Sequence, residues 1–101
     1  MVLPNALATA LLTMIERHVT IKNRAGLHTR PAATLVKTAA RFQAEFMIQK
    51  DTFEINGKSI IGVMTLAAEQ GSELILKFDG PDEEEAAAAV VELFERGFDE
   101  Q

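Results

Sequence analysis

From Ile15 to Lys22 apolar and polar side chains alternate. Ile15, Val19 and Ile21 fall on one side, and Glu16, His18, Thr20 and Lys22 on the other, the two-residue period of a half-buried strand. His18 therefore faces outward. The loop Asn23-Arg24-Ala25-Gly26-Leu27 follows, and the period then changes: Ala32, Leu35, Val36, Ala39 and Phe42 share one stripe of a helix over Thr29 to Phe42. Pro31 lacks an N–H, which the first turn does not need, so the helix begins here with His28 or Thr29 as N-cap.

Glu45 to Lys50 and Thr52 to Ile55 read as two short strands around Asp51, a hairpin ended by Asn56 and Gly57. Ser59 has the chemistry to cap a short helix in which Ile60, Val63, Met64 and Ala67 recur at helical spacing before Gly71 closes it. Ser72 to Phe78 supplies a fourth strand, with Leu74, Leu76 and Phe78 on one face. Asp79-Gly80-Pro81 turns the chain. The last helix opens with Asp82, Glu83, Glu84 and Glu85, whose charge complements the positive end of the macrodipole; its core stripe is Ala87, Val90, Val91 and Phe94, and Gly97 ends it. The order βαββαβα predicts an α+β layer fold: one antiparallel-rich sheet with helices on one face. A strand slotted between two others joined across a helix would make a split βαβ unit.

Composition narrows the function. A chain of 101 residues, 48% of them hydrophobic, supports one core and no second one. The absence of Cys removes thiolate chemistry, disulfides and sulfur-ligated metals, and suits a reducing compartment. Only His18 and His28 could offer imidazole to a metal, so no metal site is expected. The net charge of −5 comes largely from the acidic stretch near the C-terminus and opposes binding to nucleic acid. Residues 1–13 (MVLPNALATALLT) are apolar, carry no Lys or Arg and are interrupted by Pro4 and Asn5. They read as a flexible N-terminal extension ahead of a domain over 14–101, and not as a signal peptide or a membrane span. A use as an apolar contact arm for a partner stays open.

Chemistry concentrates in Gly26-Leu27-His28-Thr29-Arg30-Pro31. First-turn amides, Thr29 and Arg30 among them, have no partner inside a helix and, with the macrodipole, favour a bound phosphate. Arg30 adds a forked, permanently charged donor for two phosphate oxygens. Gly26 lets the backbone bend so that the imidazole projects outward. A neutral imidazole nitrogen is a nucleophile near physiological pH, and the nearby cation and helix end favour the neutral ring. The spacing alone equally allows His28 to be a plain surface residue and Thr29 an ordinary cap.

The run GLHTRPAATLVKTA, Gly26 to Ala39, closely resembles the active-site segment of HPr, the histidine phosphocarrier of the bacterial phosphoenolpyruvate:sugar phosphotransferase system, and the likeness extends from about Met14 to Phe98. The resemblance implies an open-faced β-sandwich, a four-stranded mainly antiparallel sheet with three helices on one face. It further implies phosphorylation of His28 on Nδ1, an Arg30 that steadies the phosphate, and no cofactor. The implied role is a cytoplasmic carrier and not an enzyme, taking phosphate from Enzyme I and passing it to EIIA proteins. Lys58 to Met64 resembles the regulatory-serine region of HPr proteins that are substrates of HPr kinase/phosphorylase, which marks Ser59. Ala33, Ile60, Ile61 and Met64 would form the apolar docking patch, with Ile61 and Met64 foremost because a helix cannot bury them all.

Two features depart from that pattern. Ala25 stands where many relatives place Ser, Thr or Asn, so no polar cap comes from there. The tail Gly80 to Glu100 looks more like NPr, the nitrogen-branch paralogue. A regulatory module, whose phosphorylation at His28 or Ser59 controls contacts without feeding sugar uptake, is therefore the alternative. An independent hydrolase would need a water-activating group beside His28, and none is near it in sequence.

Overall fold

The computed structural model describes residues 14–100, so the expected extension over 1–13 lies outside the described residues. The elements are β1 (Ile15–Thr20), α1 (Thr29–Ala39), β2 (Glu45–Lys50), β3 (Phe53–Asn56), α2 (Ile60–Thr65), β4 (Glu73–Asp79) and α3 (Glu83–Glu95), followed by a 3-10 turn at Gly97–Asp99. The strands form one sheet in the order β1-β4-β2-β3, every neighbouring pair antiparallel. β1 and β2 both oppose β4, hence run parallel to each other with β4 slotted between them, and α1 joins them. That is the split βαβ unit expected from the element order.

Alternation along the strands sends Val19, Phe46, Ile48, Leu74, Leu76 and Phe78 to one face, where they meet Leu35, Ala39, Val63, Val90 and Phe94 of the helices in a single core. Phe78 pairs with Ile15 on one side and Phe46 on the other, and the two phenyl rings stack with centroids 4.8 Å apart. Among the described residues no helix covers the opposite face of the sheet. Glu16, His18 and Thr20 lie there, exposed as their register requires.

Four sequence expectations shift. Helix α1 stops at Ala39, because Arg41 and Phe42 bond back to the carbonyls of Thr38 and Ala39 in tighter i−3 turns, which leaves Phe42 half-buried beyond the helix. In the hairpin Lys50 pairs with Phe53, so Asp51 and Thr52 form a two-residue turn, and Asp51 takes the left-handed backbone (φ 57°) that this residue tolerates. Helix α2 ends at Thr65, well before Gly71. Ala67 leaves the helix with φ 48° and lies exposed, and of the expected stripe only Val63 is buried. In α3 the buried stripe turns toward Ala86 and Leu93, and Val91 is left half-buried at the rim.

Asp82 also differs from expectation. Glu83, Glu84 and Glu85 occupy the first turn of α3 as predicted, but the Asp82 carboxylate accepts the backbone N–H groups of Gln43 and Ala44, each at 2.8 Å. It thereby staples the loop between α1 and β2 to the start of α3. The amide of Gln43, and then that of Ala44, hold the Asp82 carboxyl below its ordinary value against the opposing effect of desolvation. A depressed folded-state pKa contributes stability that is present above the unfolded value and lost as pH falls through the folded one. Asp82→Asn is accordingly expected to lower the thermal midpoint at neutral pH and to make its decline into acid shallower. Thermal melts of both proteins from neutral to acid pH check this; parallel curves would contradict it.

Candidate functional site

His28 is the N-cap of α1, with extended backbone (φ −80°, ψ −170°) and no capping bond from its side chain. Its carbonyl accepts the N–H of Ala32 at 2.9 Å, which begins the helix. Thr29 and Arg30 then occupy the first two helical positions, where amides have no intrahelical acceptor, and Pro31 has no N–H to offer. Among the described residues the mouth of the helix thus presents two amides without an acceptor beside an exposed imidazole. Pro31 is itself buried with Leu27 and Leu35, so the proline both starts the helix and roots that start in the core.

The loop before His28 is shaped from outside. Gly26 adopts φ +73°, and a Cβ there would lie 2.4 Å from the carbonyl oxygen of Ala68, which accepts the N–H of Leu27 at 2.9 Å. Glycine is required both for the left-handed backbone and for this close approach. The turn after α2 therefore sets the height of the active loop.

Two residues that sequence reasoning missed complete the arrangement. Asn23 is buried, and its Nδ2 donates to the Gly26 carbonyl at 2.9 Å and to Glu100 Oε1 at 3.1 Å. The same carboxylate oxygen lies 3.1 Å from Nε2 of His28. The sequence reading placed only a cation and a helix end around the ring, whereas the charged group bonded to it is an anion. The hydrogen bond with His28 comes first in holding the Glu100 carboxyl below the usual glutamate value; Asn23 and the charges of His28 and Arg30 assist, against desolvation. Among the described residues Asn23 Oδ1 is a buried oxygen with no protein partner. A polar residue inside the loop and a Gly-Phe-Asp-Glu end were visible signals, but nothing in the chain order says that they meet.

Arg30 is exposed, and among the described residues its guanidinium engages no acceptor. Ser59 is the N-cap of α2, its Oγ accepting the Gly62 N–H at 3.1 Å. Beside it Ile61 is 74% exposed and Ile60 and Met64 41% each. Ala33 is exposed on α1, which packs against α2. Burial thus leaves all four expected patch residues on the surface. Among the described residues no cluster of three metal-ligating side chains occurs, and no helix is long and apolar enough to cross a membrane.

Residues 15–96 match the family model described as PTS HPr component phosphorylation site. The chain belongs to the HPr family. The phosphocarrier protein HPr of Treponema pallidum is 48% identical over 88 residues, 87% of this chain and all of that protein. The HPr-like protein Crh of Halalkalibacterium halodurans is 43% identical, over 82% of this chain and 99% of its own. The crystal structure of an HPr from Thermoanaerobacter tengcongensis superposes with a TM-score of 0.83 at 45% identity, covering 86% of this chain and 98% of that one. The four-stranded sheet with three helices is the open-faced HPr sandwich. In coarse terms the chain is an HPr phosphocarrier of the phosphotransferase system.

Proposed function

We propose that this chain accepts a phosphoryl group on Nδ1 of His28 from Enzyme I, itself charged by phosphoenolpyruvate, and hands it to EIIA proteins of sugar permeases in the cytoplasm. The reading rests on one observation above all: an exposed imidazole at the N-cap of α1, beside the Thr29 and Arg30 amides, which no acceptor among the described residues engages. In the step the Nδ1 lone pair forms the new P–N bond while the bond from phosphorus to the donor atom on Enzyme I breaks, its electron pair staying with the donor. No metal or cofactor is called for. The transferred group remains dianionic, and the amides, the helix dipole and Arg30 are the groups that favour negative charge at that point. Onward transfer repeats the displacement with His28 as the donor.

Arg30 acts through its fork. Arg30→Lys keeps the charge but loses bidentate geometry, and the rate of phosphoryl acceptance is expected to fall on the order of tenfold. Stopped-flow or quench-flow rates with Enzyme I measure it, and a rate equal to the parent's would remove Arg30 from the site. Ala33, Ile60, Ile61 and Met64 supply the apolar surface that Enzyme I and the EIIA proteins would cover in turn. Ser59, at the edge of that surface, is the residue through which HPr kinase/phosphorylase would regulate docking.

A second reading follows from Ser59 and from the tail Gly80 to Glu100: a regulatory or nitrogen-branch protein whose phosphorylation state governs partner binding without sugar uptake. One assay separates the two. Intact-protein mass spectrometry after incubation with phosphoenolpyruvate and Enzyme I, without acid, is expected to find one acid-labile phosphoryl group, lost again on adding an EIIA protein. Acceptance without onward transfer would favour the regulatory reading, and no acceptance would overturn the carrier reading.

A further inference from the structure

We propose that Glu100 is a positioning residue for the phosphoryl-accepting histidine, held by Asn23 so that its carboxylate fixes the proton of His28 on Nε2 and leaves Nδ1 as the nucleophile. The inference deepens the reading above and rests on it. An ionised carboxylate is acceptor-only, so the nitrogen it contacts at 3.1 Å must carry the hydrogen. Glu100 is ionised in the folded chain, since its carboxyl is held below the usual glutamate value. With Nε2 protonated, the lone pair of a neutral ring lies on Nδ1, by covalent geometry the nitrogen nearer the backbone and hence nearer the helix mouth.

The carboxylate has a second consequence during transfer. When Nδ1 bonds to phosphorus and Nε2 keeps its proton, positive charge develops on the ring, and an anion already hydrogen-bonded to Nε2–H balances it. A buried or half-buried carboxylate behind a histidine performs both tasks, tautomer and charge, in serine hydrolases. Here the ring that receives such support is the nucleophile itself.

The protein holds Glu100 in place by more than this one bond. After α3 the chain turns sharply through Gly97, Phe98 and Asp99, at φ 61°, 56° and 60°, of which the last two are left-handed conformations that non-glycine residues adopt at a cost. Phe98 is buried edge-on against Phe94, with centroids 5.0 Å apart, and Arg96 bonds Asp99. Glu100 N–H then donates to the Gly97 carbonyl at 3.0 Å. Asn23 joins this tail to the active loop, giving its amide to both Gly26 and Glu100. Ala25 offers no polar side chain to orient the ring. Orientation instead comes from the far end of the chain.

The test uses the full chain, its Glu100→Gln variant and its Asn23→Ala variant. Glutamine keeps the shape but can present either a carbonyl or an NH2 to Nε2, so it no longer selects a tautomer. In 15N-detected imidazole spectra at a pH where the ring is neutral, the parent is expected to have a protonated Nε2 and an unprotonated Nδ1. E100Q is expected to move both signals toward each other, and N23A to move them the same way by less. The rate of acceptance from phosphorylated Enzyme I is expected to fall about tenfold in E100Q, with the circular dichroism unchanged. Unshifted imidazole signals in E100Q would overturn the inference even if N23A proved too unstable to study. Failure of the underlying reading is a separate outcome, because it would appear as no phosphoryl group on His28 in the parent itself.

Discussion

Replacing His28 with Ala is expected to reduce phosphoryl acceptance from Enzyme I to background, while His18→Ala leaves it near the parent rate. The loss should be at least about a thousandfold, the scale set by removing an obligatory nucleophile. No other described side chain can replace it: Thr29 has a hydroxyl without a base, and the chain has no Cys. The fold should survive, because the His28 side chain is 42% exposed and makes no capping bond to the helix. A change of about 0.5 kcal/mol is what such surface sites usually give. His18 is the matched control. It lies 70% exposed on the open face of the sheet, with only a 3.6 Å approach to Glu16. Initial rates with labelled phosphoenolpyruvate and catalytic Enzyme I decide the matter; equal losses in the two variants, or a labelled H28A protein, would refute the carrier role of His28.

The second large effect is expected from Ser59→Asp, with acceptance slowed about tenfold and the fold retained. Asp caps a helix as well as Ser does, so the Gly62 N–H keeps an acceptor and α2 stays formed. The cause of the slowing is therefore charge. It is placed beside Ile60, Ile61 and Met64, the surface a partner must dry on docking, and stripping a carboxylate of water there is costly. The change should fall mainly on KM and be partly relieved by salt, which screens exposed charges. Ser59→Ala separates capping from charge: it should cost about 1 kcal/mol of stability and leave transfer unchanged. Rates across a salt series, with circular dichroism as the check on folding, measure both. An S59D protein with the parent's rate would end the proposal of a switch at this position.

Much of the architecture was readable because it follows from local rules. The alternation at Ile15 to Lys22, the stripe from Ala32 to Ala39 and the stop at Asp79-Gly80-Pro81 each depend on neighbours within one or two turns. Helix ends are equally local. Pro31 announced the start of α1, and Ser59 the start of α2, because unpaired first-turn amides demand particular chemistry. Element ends drifted by a few residues where i−3 bonds tightened the last turn, as at Phe42 and Ala67, since such bonds carry little sequence signature.

By itself, then, the sequence determined the order of strands and helices, the exposed His28 at a helix start, and the acidic first turn of α3. Only the tertiary structure decided that β4 inserts between β1 and β2, that Asp82 serves the loop at Gln43 and Ala44, and that Ala68 sits over Gly26. It alone brought Glu100 to Asn23 and His28, partners 77 and 72 positions away in the chain. Periodicity and capping act over a few residues, whereas these contacts exist because packing of the whole core brings the two ends of the domain together.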